Sequence, residues 1–272
     1  MDLHIHSIYS DGQWTPEQII QTAKEEQVTV ISITDHDAIE GYKRGKPLAA
    51  KEGIHLIPGI ELNTDGELGE LHILGYLFDP DRPKLTAHVA WRQEERVKWG
   101  REIIENLCKL DYPITLEACL DRAGEGVLVR THIAEELAAA GYFETAGEAY
   151  DTLLKKGKPA YAERAAFSAA DAIQLIHDAG GLAFLAHPGA YEFEVPLEEL
   201  VAHGLDGIEV YHSKHTEQDI RKWKESAESC QLLISGGSDF HGPTSRNPYP
   251  IGSVGIGREV TVADWGRRML TL

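Results

Sequence analysis

Two histidines flank one apolar residue near the start of the chain, as His4-Ile5-His6, with Leu3 and Ile5 alternating against them. On an extended strand the side chains at i and i+2 share a face, so both imidazoles point into one space while Leu3 and Ile5 pack behind them. Nitrogen donors paired in this way suit a divalent cation. Two histidines do not complete a metal site, so the rest of the chain has to supply partners.

The next elements do so. Thr15-Pro16-Glu17-Gln18 opens a helix, with Thr15 as N-cap, Pro16 at the first helical position and Gln18 completing a capping box; the helix runs to about Gln27. Val28 to Ile33 is a β-branched strand ending in Thr34-Asp35-His36-Asp37. Ionisable side chains in a row after a buried strand belong at its carboxyl end, where α/β proteins place their chemistry. Gly41 to Lys46 is expected as a loop, and Pro47 to Glu52 as a short helix closed by Gly53. Ile54 to Pro58 is a third strand, followed by Gly59-Ile60-Glu61; Asp65-Gly66 marks a turn, and Leu71 to Leu77 is a fourth strand carrying His72.

Composition then changes. From Lys84 to about Asp111 the pattern is long, charged and helical, and Pro113, Gly124-Glu125-Gly126 and Gly141 break the helical pieces that follow. Residues 80–164 read as a helical insertion into one catalytic domain made of residues 1–79 and 165–272. Within the insertion, Arg130 and His132 precede a helix from Ile133 to Ala140, and helix N-termini favour anions, so both are candidate phosphate contacts.

Beyond it, Ser168-Ala169-Ala170-Asp171 caps a helix, and Leu182 to Ala186 is a fifth strand ending in His187. Gly207 to Tyr211 is a sixth, carrying Glu209 and running into His212-Ser213-Lys214-His215. Thr216-Glu217-Gln218-Asp219 caps the next helix, and Leu232 to Ser235 is a seventh strand followed by Ser238-Asp239-Phe240-His241. A short helix is expected near Asp264 to Leu270. Seven strands alternating with helices predict an α/β closed or nearly closed barrel, although an open parallel sheet reads similarly.

Donors thus recur at successive strand ends: His4, His6, His36, Glu61, His72, His187, Asp239 and His241, with Asp11 in the first loop. Nitrogen and oxygen donors without thiolate suit zinc, manganese or iron, and their number exceeds the needs of one ion. His55, His88, His177 and His203 read as ordinary core or surface residues. The formal charge of −18, from 44 acidic and 26 basic residues, opposes broad capture of a nucleic-acid duplex. Cys108, Cys119 and Cys230 are widely spaced and suit a reducing cytoplasm. No signal peptide or membrane span is visible.

His4-Ile5-His6 with Asp11, Thr34-Asp35-His36-Asp37, Gly59-Ile60-Glu61, His72-Ile73-Leu74-Gly75-Tyr76, His187-Pro188 and Ser238-Asp239-Phe240-His241 resemble the successive motifs of the PHP domain, named for polymerase and histidinol phosphatase. The insertion, with Arg130-Thr131-His132-Ile133-Ala134, resembles the branch of stand-alone phosphoesterases acting on nucleotides and short RNA. One departure is that the family's glycine-arginine-proline-histidine segment stands here as Val129-Arg130-Thr131-His132. The resemblance implies a distorted seven-stranded β/α barrel with two or three divalent ions. His4, His6, Glu61 and Asp239 would hold the first, Glu61, His72 and His187 the second, and Asp11, His36 and His241 the third.

The chemistry then expected is metal-dependent hydrolysis of a phosphoester by a metal-bridging hydroxide. Arg130 and His132 would cradle the phosphate, with Lys214 and His215 as further contacts, and Asp35 would orient a ligand or the water. The expected substrates are small phosphorylated nucleotides such as 3′,5′-nucleoside bisphosphates or AMP, or short single-stranded RNA. Histidinol phosphate, a C–N bond cleaved as in amidohydrolases, and a non-enzymatic role remain as alternatives.

Overall fold

The computed structural model describes residues 1–65, 70–257, 260, 262 and 265. Its elements are β1 (Asp2–Ile5), α1 (Pro16–Glu25), β2 (Val30–Ile33), α2 (Glu40–Glu52), β3 (His55–Asn63), β4 (His72–Tyr76), α3 (Pro83–Lys109), α4 (Leu116–Ala123), α5 (Arg130–Ala139), α6 (Ala146–Ala149), α7 (Ala169–Asp178), β5 (Leu182–Leu185), α8 (Leu197–Ala202), β6 (Gly207–His212), α9 (Glu217–Ser229) and β7 (Leu233–Gly237). The seven strands form one sheet in sequence order. Beyond β7, Asp239 N–H donates to the His4 carbonyl at 2.8 Å and His6 N–H to the Phe240 carbonyl at 2.9 Å. These bonds nearly close the sheet into a barrel, an α/β fold with helices outside.

Local signals behaved as their chemistry requires. Thr15 accepts from Gln18 N–H while Gln18 Oε1 accepts from Thr15 N–H at 2.9 Å, and Ser168 and Thr216 begin α7 and α9 with the same box. Three expectations need correction. The strands do not all alternate with helices: β3 and β4 form a hairpin, and β4 runs antiparallel to both neighbours. The third strand passes through Pro58 to Asn63, because residues 55–58 pair with β2 and residues 59–63 with β4. Proline's missing N–H falls where the partner changes, and a Cβ on Gly59 would come within 2.0 Å of Ser32 Oγ. Finally, residues 41–46 are helix, not loop. Pro47 lies inside α2, whose Gly41 packs so closely that a Cβ would meet Asp35 Oδ2 at 2.1 Å. Tertiary packing overrides the weak local propensity. Apart from Trp265, the expected helix near Asp264 to Leu270 falls outside the described residues, as does Gly66 of the expected turn.

Two cores result. One fills the space around the barrel strands, with Ile60, Ile73, Phe184 and Ile208 fully buried. The other belongs to α3–α6, where Ile103, Leu107, Cys119, Ile133, Leu137 and Leu154 pack together. All three cysteines are free, and no described helix is long and apolar enough to cross a membrane.

His88 on α3 packs with its ring centroid 4.2 Å from that of Phe167 and its Nε2 without a hydrogen-bond partner. Burial pushes its pKa down from 6.5 to about 4. The folded protein therefore refuses a proton that the unfolded chain accepts, and stability falls as pH drops from 6.5 through about 4. In chelator, urea unfolding of the wild type should lose about 2 kcal/mol more between pH 7 and pH 5 than that of His88→Phe. An unchanged slope in the variant would show that His88 is not the group responsible.

Candidate metal centre

The ends of β1 and β3 set the floor. His4 Nδ1 donates to Glu209 Oε1 at 2.9 Å, and His6 Nδ1 donates to Ser10 Oγ at 3.2 Å. Ser10 Oγ in turn donates to Asp35 Oδ1 at 2.7 Å. With both Nδ1 hydrogens engaged outward, the two Nε2 lone pairs face inward only 3.1 Å apart. Two lone pairs repel at that separation unless a cation or proton lies between them. Glu61 Oε2 sits 3.4 Å from His4 Nε2 and 3.2 Å from His6 Nε2, and Asp239 Oδ1 sits 3.3 and 3.2 Å from the same atoms.

Glu61 gathers further imidazoles. Its Oε2 is 2.9 Å from His36 Nδ1, and its Oε1 is 2.9 Å from His72 Nδ1 and 3.0 Å from His187 Nε2. His72 joins from the start of β4, since the antiparallel pairing brings that end beside the end of β3. Asp11 Oδ1 lies 3.3 Å from His241 Nε2 and 3.8 Å from His36 Nε2. Among the described residues, donor atoms converge within 4.8 Å in four groups: His6, Asp11, His36 and His241; His4, His6 and Glu61; His36, Glu61 and His72; and His4, His212 and Asp239. His187 stands outside these groups and is tied to them through Glu61. His187 and Asp239 both adopt left-handed backbone, at φ 31° and 55°, a conformation that side-chain-bearing residues seldom hold without a local demand.

Burial alone would lower the His6 pKa, but Asp239 and Glu61 outweigh it and raise it to about 10. Burial alone would raise the Glu61 and Asp239 carboxyls, yet the surrounding imidazoles hold both well below the usual carboxylate range. Glu61 Oε2, Asp11 Oδ1, His36 Nδ1 and His187 Nδ1 are buried without a hydrogen-bond partner. Orphaned donors of both kinds around one space are what divalent ions would satisfy, so the residues fit the cofactor expected of them.

The phosphate contacts expected from sequence are distributed differently. His132 does not reach the cleft: it is buried, its Nδ1 accepts from Val129 N–H at 3.3 Å, and its ring also bonds the Ser10 backbone. The helix begins at Arg130, earlier than expected, so His132 lies within its first turn. His215 is likewise occupied, accepting from Gly189 N–H at 3.0 Å and donating to the Val210 carbonyl at 2.8 Å. Arg130 pairs with Glu70 beside a small recess shared with Asp11, His36 and His72. Lys214 is exposed on the cleft wall. The Asp35 side chain bonds none of the candidate ligands directly; it accepts from Ser7 N–H, Ser7 Oγ and Ser10 Oγ, and so acts on His6 through Ser10.

Several partners had no clear sequence signal. Asn247 Nδ2 donates to Asp239 Oδ2 at 2.5 Å, Thr131 Oγ1 donates to Asp11 Oδ2 at 2.9 Å, and Asn63 Nδ2 sits 2.7 Å from His72 Nε2. Glu209, which the sequence places on the sixth strand ahead of the histidine-rich loop, also accepts from His187 N–H at 2.8 Å. His212 accepts Lys214 N–H at its Nδ1, which leaves its other nitrogen as a donor facing Asp239 at 3.4 Å. Above the donors lies a cavity of about 670 Å³ between barrel loops on one side and α5, Thr145–Gly147 and Tyr150 on the other.

A barrel mouth crowded with imidazoles and carboxylates defines a metal-dependent hydrolase. The chain belongs to the PHP domain family, whose model matches residues 2–182. It is 34% identical over 249 residues to the 5′-3′ exoribonuclease Rnm of Salmonella typhimurium, covering 89% of this chain and 85% of that protein. To the 3′,5′-nucleoside bisphosphate phosphatase of Chromobacterium violaceum it is 32% identical over 253 residues, covering 89% and 87%. Among solved structures, an amidohydrolase from Chromobacterium violaceum with bound sulfate and no metal superposes with a TM-score of 0.88 at 29% identity, over 99% of this chain and 95% of that one.

Proposed function

We propose that the protein is a phosphoesterase that hydrolyses phosphorylated nucleotides, nucleoside 3′,5′-bisphosphates or AMP, or trims short single-stranded RNA from an end. The observation that carries this reading is the Glu61 carboxylate, shared among five imidazoles at the floor of a cavity large enough for a nucleotide. Relatives acting on such substrates span most of the chain. On this reading His4, His6, Glu61 and Asp239 hold one ion, Glu61, His72 and His187 a second, and Asp11, His36 and His241 a third. Divalent ions held there would lower the pKa of bound water and polarise the phosphoryl oxygens.

The chain's own groups do the rest. Glu209 and the Asp35–Ser10 pair fix the tautomers of His4 and His6 so that both Nε2 atoms face the cleft. Asn247 and Thr131 restrain the carboxylates of Asp239 and Asp11. Lys214 and Arg130 border the cleft as cations for the remaining phosphate oxygens. An overall charge of −18 favours a small or single-stranded substrate.

Phosphate release from AMP, adenosine 3′,5′-bisphosphate, a 5′-phosphorylated RNA oligomer and histidinol phosphate tests the reading, with manganese and with chelator. Manganese-dependent release from the bisphosphate or the RNA is expected. Release from none of them, or from histidinol phosphate alone, would overturn it.

A further inference from the structure

The loop after β7 carries Arg246 out over the cleft, anchored by its neighbour Asn247, which bonds Asp239 through its side chain and accepts His241 N–H at its carbonyl. The Arg246 guanidinium lies 4.3 Å over the Tyr150 ring and 3.2 Å from Asp151 Oδ1. Tyr150 and Asp151 belong to the helical insertion, so this contact bridges the two walls of the cavity that holds the metal donors. Tyr150 opens a π-helical turn, Tyr150–Leu154, a rare form of backbone found often at functional sites.

The contact is poorly suited to a purely structural tie. Arg246 and Asp151 are 44% and 61% exposed, and an ion pair that open contributes little to stability. Its geometry suits exchange instead. A guanidinium stacked on an aromatic ring covers the face that a nucleobase would take, and every base has a flat π-face to offer. A guanidinium released from a half-exposed carboxylate is in turn a bidentate partner for phosphate. The cavity, at about 670 Å³, has room for a nucleoside beside the metal donors.

We propose that Tyr150 and Arg246 are the nucleoside-specificity elements of the cleft: the nucleobase stacks on Tyr150, while Arg246 leaves Asp151 and pairs with a phosphate of the same substrate that is not cleaved. This inference rests on the nucleotide reading above and assigns that site its selectivity. Tyr150 and Arg246 are positioning residues here and touch no bond that breaks.

The test compares kcat/KM for adenosine 3′,5′-bisphosphate and for p-nitrophenyl phosphate in manganese-loaded wild type, Tyr150→Leu, Arg246→Ala and Asp151→Ala, with calorimetric binding of AMP as a second readout. For Tyr150→Leu and Arg246→Ala the loss on the bisphosphate should exceed any loss on p-nitrophenyl phosphate by about tenfold or more. AMP binding should weaken about tenfold in Tyr150→Leu. Asp151→Ala, which frees Arg246, should not lower bisphosphate turnover. Equal losses on both substrates, AMP binding unchanged in Tyr150→Leu, or Asp151→Ala matching Arg246→Ala would overturn the assignment and leave a tie between the walls. Wild type that cleaves p-nitrophenyl phosphate but neither cleaves the bisphosphate nor binds AMP would instead remove the nucleotide reading itself.

Discussion

Glu61→Gln should leave the protein folded and cost more than about 100-fold in metal affinity and in metal-dependent phosphate release. The reason is the crowding around one carboxylate. Glu61 is 1% exposed, and its two oxygens lie between 2.9 and 3.4 Å from ring nitrogens of His4, His6, His36, His72 and His187. An amide of the same shape has one acceptor oxygen and no charge, so it cannot serve imidazoles on both sides at once. Losing a partner that merely orients a ligand already lowers metal affinity about 10- to 100-fold, and a carboxylate shared between ligand groups should cost more. Metal content after dialysis, read by atomic emission alongside turnover, checks both halves. A variant that keeps its full metal complement and wild-type turnover would remove Glu61 from the centre of the site.

Asp37→Ala should be the most destabilising single change away from that carboxylate. Asp37 is fully buried, and its Oδ2 accepts from Arg96 Nε at 3.0 Å and from Arg96 Nη2 at 2.5 Å, with Arg92 Nε 3.5 Å away. Both arginines come from α3 and are buried themselves, and they reach across to the ends of β2 and β3. Arg92 also donates to the Asn63 carbonyl at 2.6 Å, and Arg96 to Asn63 Oδ1 at 2.7 Å, the side chain that lies beside His72. Removing the carboxylate leaves buried Arg96 without its counter-ion and takes one of two from Arg92, which keeps Asp65 at 3.5 Å, a loss of about 3–5 kcal/mol. Thermal unfolding at fixed manganese should fall by about 10 °C. The double variant Asp37→Leu with Arg96→Met should be less destabilised than the sum of the singles, because it removes the stranded charge together with its partner. A midpoint within about 2 °C of wild type for Asp37→Ala would show that the network carries little of the stability.

That network shows where sequence reasoning stops. The long, charged helical pattern of α3 does not single out Arg92 and Arg96, yet both lie on its buried side with almost no exposure. Their partner is 59 positions from Arg96 in sequence, and nothing local announces it. The same holds for Glu209, 205 positions from His4, and for Asp2, buried at the barrel seam, which accepts from Ser238 N–H 236 positions away. His132 shows the opposite error: its chemistry suited a phosphate, but the first turn of α5 had an unsatisfied N–H close at hand and used the ring.

The sequence by itself determined what could be settled over a few residues. Capping boxes at Thr15, Ser168 and Thr216 follow from hydrogen bonds three positions apart, and imidazoles and carboxylates at strand ends declare themselves because burying them elsewhere would be costly. Tertiary structure alone decided which strand runs backwards, which ring nitrogen faces inward and which residues brace the donors. Those outcomes depend on contacts between distant segments that exist only once the sheet has curled and the insertion has docked, where packing and desolvation outweigh local preference.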